Sequence, residues 1–185
     1  MDKGYKSLFW GLIIIIINIK FGNIYIFTGF IGYIFIYFGL KELSKYEPSF
    51  ELGKKFTNLM LIVCIINPFL RYVNANLEQI TPQNIWRFVV LNTLSIVHVI
   101  IYYYICKGVY IQAERREVDK IKKKAILTWN FKLYTSIASY ISTAFWINLG
   151  EKISILQFVI YFFNFLANVQ IIILVRNASR DIREA

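Results

Sequence analysis

Along this chain, long apolar runs alternate with short charged ones, and the apolar runs are of helix length. Four are long, at residues 56–73, 85–106, 125–149 and 153–175. A fifth covers 24–40, and the first, 8–19, carries five consecutive isoleucines (Ile13 to Ile17) before Asn18 and Lys20 close it. A helix that crosses ~30 Å of hydrocarbon needs about 20 mainly apolar residues. At ~1.5 Å per residue, segment 24–40 reaches about 26 Å and segment 8–19 about 18 Å. The pattern predicts an all-α fold, a polytopic membrane helix bundle with six transmembrane helices, or five if the first segment is re-entrant. The isoleucine run does not argue for a strand here. Within lipid only helices and closed barrels satisfy the backbone, and the five later helix-length runs exclude a barrel.

Turn and cap residues fit the same plan. Phe21-Gly22-Asn23 is expected to turn the chain back after the first segment. Thr81-Pro82 precedes the fourth span as a capping residue followed by proline at the first helical position. Pro48 breaks the second charged loop, and Asn67-Pro68 is expected to kink the third span. No soluble domain or long linker is visible, so residues 1–185 are expected to form one membrane domain.

Composition strengthens the membrane reading. Of 185 residues, 57% are hydrophobic and 18% aromatic, and the mean hydropathy is +0.52. A small soluble domain exposes too much of its surface to hide that fraction. The formal net charge of +10 is not spread evenly. With six spans, 16 of the 21 Lys and Arg residues fall on one side, against Lys20, Arg71 and Lys152 on the other. Basic residues are retained on the cytoplasmic side, so both termini are expected in the cytoplasm and the protein in the cell (inner or plasma) membrane. Nucleic acid is not an expected partner, because the charges sit in short loops between apolar runs.

Polar residues inside the predicted spans recur at helical spacing. Asn92, Ser95, His98 and Tyr102 fall within about a third of one helix circumference. Thr128, Lys132, Ser136, Ser139 and Thr143 line a second helix, and Gln157, Tyr161, Asn164 and Asn168 a third. In lipid such groups need partners, so the stripes are expected to face inward, either as links between helices or as the lining of a polar path. Asn92, Ser95, His98, Lys132, Ser136, Gln157, Asn164 and Asn168 make up this candidate intramembrane polar face. Lys132, about two turns inside the cytoplasmic end of its span, is expected to snorkel to the interface. His98, the only histidine, is expected to be a satisfied packing residue.

No Asp or Glu lies within any predicted span. That speaks against proton-coupled transport, intramembrane aspartyl proteolysis and a carboxylate metal site. No G-x-S-x-G motif appears. The sequence therefore points to no enzymatic activity, no cofactor and no metal site. Cys64 and Cys106 fit neither a disulfide framework nor a metal cluster. Cys106 borders a basic loop, a setting compatible with lipidation.

Gly29, Gly32 and Gly39 share a narrow arc of the second span and are expected to pack against another helix, since small residues allow close backbone approach. Residues 107–124 hold the densest charge and are expected to form a cytoplasmic basic helix, lying on the membrane or running straight into the fifth span. Ile111, Val118, Ile121 and Ala125 make its apolar stripe, and Arg115/Asp119 and Asp119/Lys123 are favourable pairs. Arg115, Arg116, Lys120, Lys122, Lys123 and Lys124 form a candidate surface for anionic lipid, at about 1 kcal/mol per basic residue near the membrane, or for a protein partner.

The run "FIGYIFIYFGLKEL" (Phe30 to Leu43) and the run "YYYICKGVY" (Tyr102 to Tyr110) resemble stretches of small uncharacterised multipass membrane proteins of Gram-positive bacteria. The resemblance implies a multipass membrane protein and brings no functional residues with it. The expected function is that of a non-enzymatic structural or regulatory membrane component acting through the lipid bilayer, a membrane-protein partner or a second copy of the chain. The alternative is a small transporter or the substrate-binding subunit of one. A polar cavity between the last three helices, reaching His98, Asn164 and Asn168, favours the alternative. A bundle filled to its centre favours the structural role.

Overall fold

The computed structural model describes residues 2–17, 25–73, 85–149 and 154–184, and within them the chain is entirely helical apart from short turns. Six helices follow in order: α1 (Asp2–Ile17), α2 (Tyr25–Leu43), α3 (Ser49–Val73), α4 (Ile85–Arg115), α5 (Asp119–Leu149) and α6 (Ser154–Glu184). The all-α expectation holds. Among the described residues, two segments are long and apolar enough to cross a bilayer, Asn92–Arg115 and Ile155–Ile182, where the pattern predicted six. The expected turn at Phe21-Gly22-Asn23, the cap at Thr81-Pro82, and Lys20 and Lys152 lie outside the described residues.

The helices outrun the apolar segments, and always toward the charged end. α1 starts at Asp2 rather than residue 8, so its 16 residues span about 24 Å. Packing draws these early residues into the helix: Tyr5 is 1% exposed and Gly4 is buried. α4 continues past 106 to Arg115, and α6 past 175 to Glu184.

The separate basic helix expected over 107–124 does not form. Residues 107–115 finish α4, and 119–124 begin α5. The break is a Schellman-type stop. Glu117 takes the left-handed conformation (φ 57°), its N–H donates to the Glu114 carbonyl at 3.2 Å, and the Val118 N–H donates to the Ala113 carbonyl at 2.8 Å. Helix period could not reveal this stop, because a glutamate occupies the position that glycine usually holds. With the helix interrupted, Arg115 and Asp119 do not form a helical pair. Arg115 turns instead to Glu47, 2.9 Å away.

Each helix packs on its neighbour in sequence, α6 returns to α1 to close a ring, and α4 also touches α6. Alternating direction gathers the charged ends together. There Ser179 donates to Asp2 at 2.9 Å and Tyr5 to Gln112 at 2.5 Å. Glu47, only 3% exposed, accepts from the Ser49 N–H at 3.1 Å and hydroxyl at 2.9 Å, capping the start of α3.

The apolar core fills this same half of the ring. Leu8, Ile36, Leu40, Phe50, Ile105, Val109, Ile171 and Leu174 are all fully buried. Within it α1 and α2 approach backbone to backbone. A Cβ on Gly11 would lie 2.8 Å from the Gly32 carbonyl oxygen, and one on Gly39 would lie 2.9 Å from the Gly4 carbonyl oxygen. Both helices thus carry glycines one heptad apart, and antiparallel register brings them face to face. Gly32 and Gly39 pack as expected. Gly29 does not, since no described atom lies within 4 Å of where its Cβ would sit. Gly29 is off the heptad by three residues, which turns it roughly 60° from the Gly32/Gly39 line.

Candidate functional site

The polar stripes of α4, α5 and α6 meet just beyond the apolar core. They line a cleft of about 330 Å³ that includes Ser95, His98, Lys132, Ser136, Asn164 and Asn168. Tyr102, Ser139, Tyr140 and Tyr161 complete its polar wall, and Val99 and Phe165 supply an apolar one. The +3 and +4 spacings put one polar residue per turn on each helix, and the packing of the three helices rotates those faces toward each other.

Lys132 is the centre of the site. It is 5% exposed, and its Nζ donates to Asn164 Oδ1 at 2.6 Å and to Asn168 Oδ1 at 2.7 Å. The ammonium also lies 5.1 Å from the centroid of the Tyr102 ring. The snorkelling expected of Lys132 is therefore wrong. Two amide oxygens one turn apart on α6, together with an aromatic face on α4, hold the ammonium inside the ring.

No carboxylate among the described residues pairs with Lys132; every described ion pair belongs to the charged end. An interhelical polar bond in a membrane protein is worth about 0.6 kcal/mol, up to ~2, and a desolvated cation–π contact about 2 kcal/mol. Burying a charge costs several kcal/mol even after relaxation. The contacts present at best match that cost.

The surrounding hydroxyls add to the imbalance. Tyr102, 1% exposed, and Ser136, 3% exposed, have buried oxygens with no hydrogen-bond partner, and so has the buried Nε2 of His98. His98 does pack, with its ring 4.4 Å from that of Tyr102 and 5.8 Å from that of Tyr33 on α2. It is not the satisfied residue that was expected. By contrast, Thr135, Ser142 and Thr143 donate to carbonyls of their own helix, a local bond that spends their one donor proton. Of the α5 hydroxyls, those of Thr135, Ser142 and Thr143 are thus spent locally, whereas Ser136, Ser139 and Tyr140 line the cleft.

Two members of the predicted polar face stay outside the cleft. Gln157 donates to Tyr161 at 2.8 Å on the exposed side of α6, and Asn92 lies beyond the lining residues. Tyr140 and Tyr33 were not foreseen. Tyr140 follows Ser136 by one turn, a spacing legible in the sequence; the approach of Tyr33 to His98 needs the α2–α4 geometry and had no sequence signal.

The basic surface at the α4–α5 turn is partly consumed by internal pairs. Lys122 donates to Glu114 at 2.7 Å and lies 5.4 Å from the Tyr110 ring centroid; the bond to Glu114 raises the Lys122 pKa above its ordinary value. Arg115 is engaged by Glu47. Arg116, Lys120 and Lys123 remain exposed, and Lys124 is half-buried. Ile121 and Ala125 are buried in the core rather than laid on a membrane surface; Cys106, 2% exposed, is buried beside a small apolar pocket of about 220 Å³. A second cleft, of about 480 Å³, lies between the start of α1 and the end of α6. There Asp2 is already bonded to Lys6 and Ser179.

Comparison with protein-family models, with curated proteins and with solved structures finds no match to this chain.

Proposed function

We propose that the protein is a multipass membrane protein, its six helices crossing the bilayer with both termini in the cytoplasm, and that it binds a small polar solute in the α4–α5–α6 cleft, as a transporter or the substrate-binding component of one. The observation that carries this reading is the buried Lys132 in an open polar cleft among unpartnered donors. Groups left unbonded at a cost of about 1–3 kcal/mol each are what a ligand site looks like before its ligand arrives. A cleft of about 330 Å³ sits at the low end of small-molecule sites, about 300–1,000 Å³.

The membrane setting is supported by what the helices expose. Ile155 is 81% exposed, Phe158 72%, Tyr134 69% and Leu127 68%. Contiguous apolar surface of this kind marks contact with lipid or a partner. Among the polar residues of α5, Lys132, Thr135, Ser136 and Ser142 are buried, and its outer face carries Leu127, Tyr134, Ile137 and Ile141. The gathering of charge at one end fits the cytoplasmic side.

The test is solvent access. In a chain with Cys64→Ala and Cys106→Ala, a cysteine at Ser139 should react with a small water-soluble thiol reagent in reconstituted vesicles. A cysteine at Ile137, on the outer face of the same helix, should stay protected by lipid. If both stay unreactive, the cleft is closed to water and the solute reading falls.

A second reading is favoured by the exposed Arg116, Lys120 and Lys123: a non-enzymatic structural or regulatory component that holds anionic lipid or a partner at its charged end. Replacing these three by glutamine should weaken binding to vesicles rich in phosphatidylglycerol. Unchanged binding removes that reading.

A further inference from the structure

Resting on the reading of the cleft as a solute site, we propose that its ligand is a small oxyanion, a carboxylate or phosphate group seated among Lys132, Tyr102 and Ser136. The donors and acceptors of the cleft are unequal in number. The Lys132 ammonium has three protons; two are given to Asn164 and Asn168, and the third is uncommitted. The Tyr102 hydroxyl, the Ser136 hydroxyl and His98 Nε2 have no partner among the described residues. Both asparagines present their oxygens to the lysine, which leaves each amide NH2 as a further donor.

What the cleft lacks among the described residues is an acceptor of matching charge, for no described Asp or Glu lines it. A neutral solute would leave the cation uncompensated, and a cationic one would meet a like charge. An oxyanion satisfies both deficits at once, since its oxygens accept from several donors and its charge pairs with the ammonium. Val99 and Phe165 on the same wall suit a short hydrocarbon portion beside the charged group. A free anion and the phosphate of a lipid headgroup share this chemistry.

The experiment uses the full chain in phosphatidylcholine nanodiscs and follows its melting by intrinsic fluorescence, because a ligand that binds the folded state raises the midpoint. Inorganic phosphate and propionate are titrated at constant ionic strength, with choline and glycerol as cationic and neutral counterparts. Phosphate or propionate should raise the midpoint saturably, and choline and glycerol should not. Lys132→Met should weaken the anion response at least tenfold. Asn164→Asp tests the idea even if that variant fails to fold. It keeps an oxygen facing Lys132 and supplies the missing negative charge, so it should melt at or above the native chain and lose the anion response.

Nanodiscs of phosphatidylglycerol separate the two sources. A rise there without soluble anion, lost in Asn164→Asp, assigns the oxyanion to a lipid headgroup and supports the proposal. An unaltered response in Asn164→Asp, or no response to any anion or to phosphatidylglycerol, overturns it. If Ser139→Cys is still labelled in that case, the solute site stands and only its anionic ligand is lost; saturable binding of choline or glycerol instead has the same meaning. If the label also fails to react, the solute-site reading falls with it.

Discussion

Tyr5 on α1 and Tyr102 on α4 are each 1% exposed, yet one hydroxyl is bonded and the other is not. Tyr5 donates to Gln112 at 2.5 Å across the charged end of the ring. The Tyr102 hydroxyl faces the cleft with no partner. The same division separates the regions around them. The α1–α2 hairpin is built by backbone approach at Gly4, Gly11, Gly32 and Gly39 and is closed by Leu8, Leu12, Ile36 and Leu40. The α4–α6 cleft is lined by polar groups at comparable depth, with a lysine that no described carboxylate pairs. Burial alone therefore does not mark a structural residue. The Tyr5 hydroxyl ties α1 to α4, although Gln112 Nε2 beside it makes no bond, whereas the Tyr102 hydroxyl bonds to no described residue.

The hairpin gives the largest expected effect. Gly11→Leu would drive a side chain into the Gly32 carbonyl and the Ile36 backbone. Overpacking costs about 1–3 kcal/mol and more where backbone must move, so the melting midpoint in detergent should fall sharply. Gly29→Ala, on the same helix as Gly32 but in open space, should be neutral or gain about 0.5–1 kcal/mol from helix propensity. Equal losses at both sites would break the distinction between the heptad glycines and the rest.

Next comes the tyrosine pair. Tyr5→Phe leaves Gln112 with neither end of its amide bonded, because its Nε2 already has no partner; the expected loss is about 1–3 kcal/mol. Tyr102→Phe breaks no bond and removes a buried unbonded hydroxyl, so it should be neutral or raise stability by about 1–3 kcal/mol. Paired melting curves of the two variants check this, and a large loss in Tyr102→Phe would mean that its hydroxyl is structural after all.

Glu117→Gly sharpens the comparison from the side of the turn that joins two walls of the cleft. The left-handed conformation at Glu117 (φ 57°) costs a side-chain-bearing residue roughly 1–2 kcal/mol. Glycine there should raise stability by about 1 kcal/mol without altering solute access to Ser139→Cys.

The smallest effect is expected from acid at the charged end. Lys45 donates to Glu42 at 2.6 Å, and Lys54 lies 2.7 Å from Glu51; these bonds hold both carboxyls below their ordinary pKa. A lowered carboxyl stabilises the fold above its unfolded pKa and loses that contribution as the pH falls through its folded one. Melting midpoints between pH 7 and pH 3 should sag only slightly, and high salt should reduce the difference, because both pairs reach solvent and are screened.

Much of the fold could be read from the chain, because helix length and apolar spacing are local properties. All six helices fall on their predicted segments, and α1, α3 and α5 start earlier than the apolar pattern, α1 where Gly4 and Tyr5 are buried. The site was half legible. The spacing of Ser95, His98, Lys132, Ser136, Asn164 and Asn168 placed them on helix faces, and those faces do meet. Gln157 has the same spacing and bonds on the outside instead. Gly4 and Gly11 carry a heptad spacing that matches Gly32 and Gly39, but Gly4 lies outside the apolar run 8–19, so apolar spacing alone does not pair them.

The sequence by itself determined six helices, an all-α fold, a chain whose charge collects between apolar runs, and three polar stripes. Each follows from residue type and a period of about 3.6. Only the tertiary structure decided that Lys132 turns inward to Asn164 and Asn168, that Gly11 meets Gly32, and that the helix breaks at Glu117. Those outcomes depend on the rotation and register of one helix against another. Packing among residues far apart in the chain sets both, and no local pattern records them.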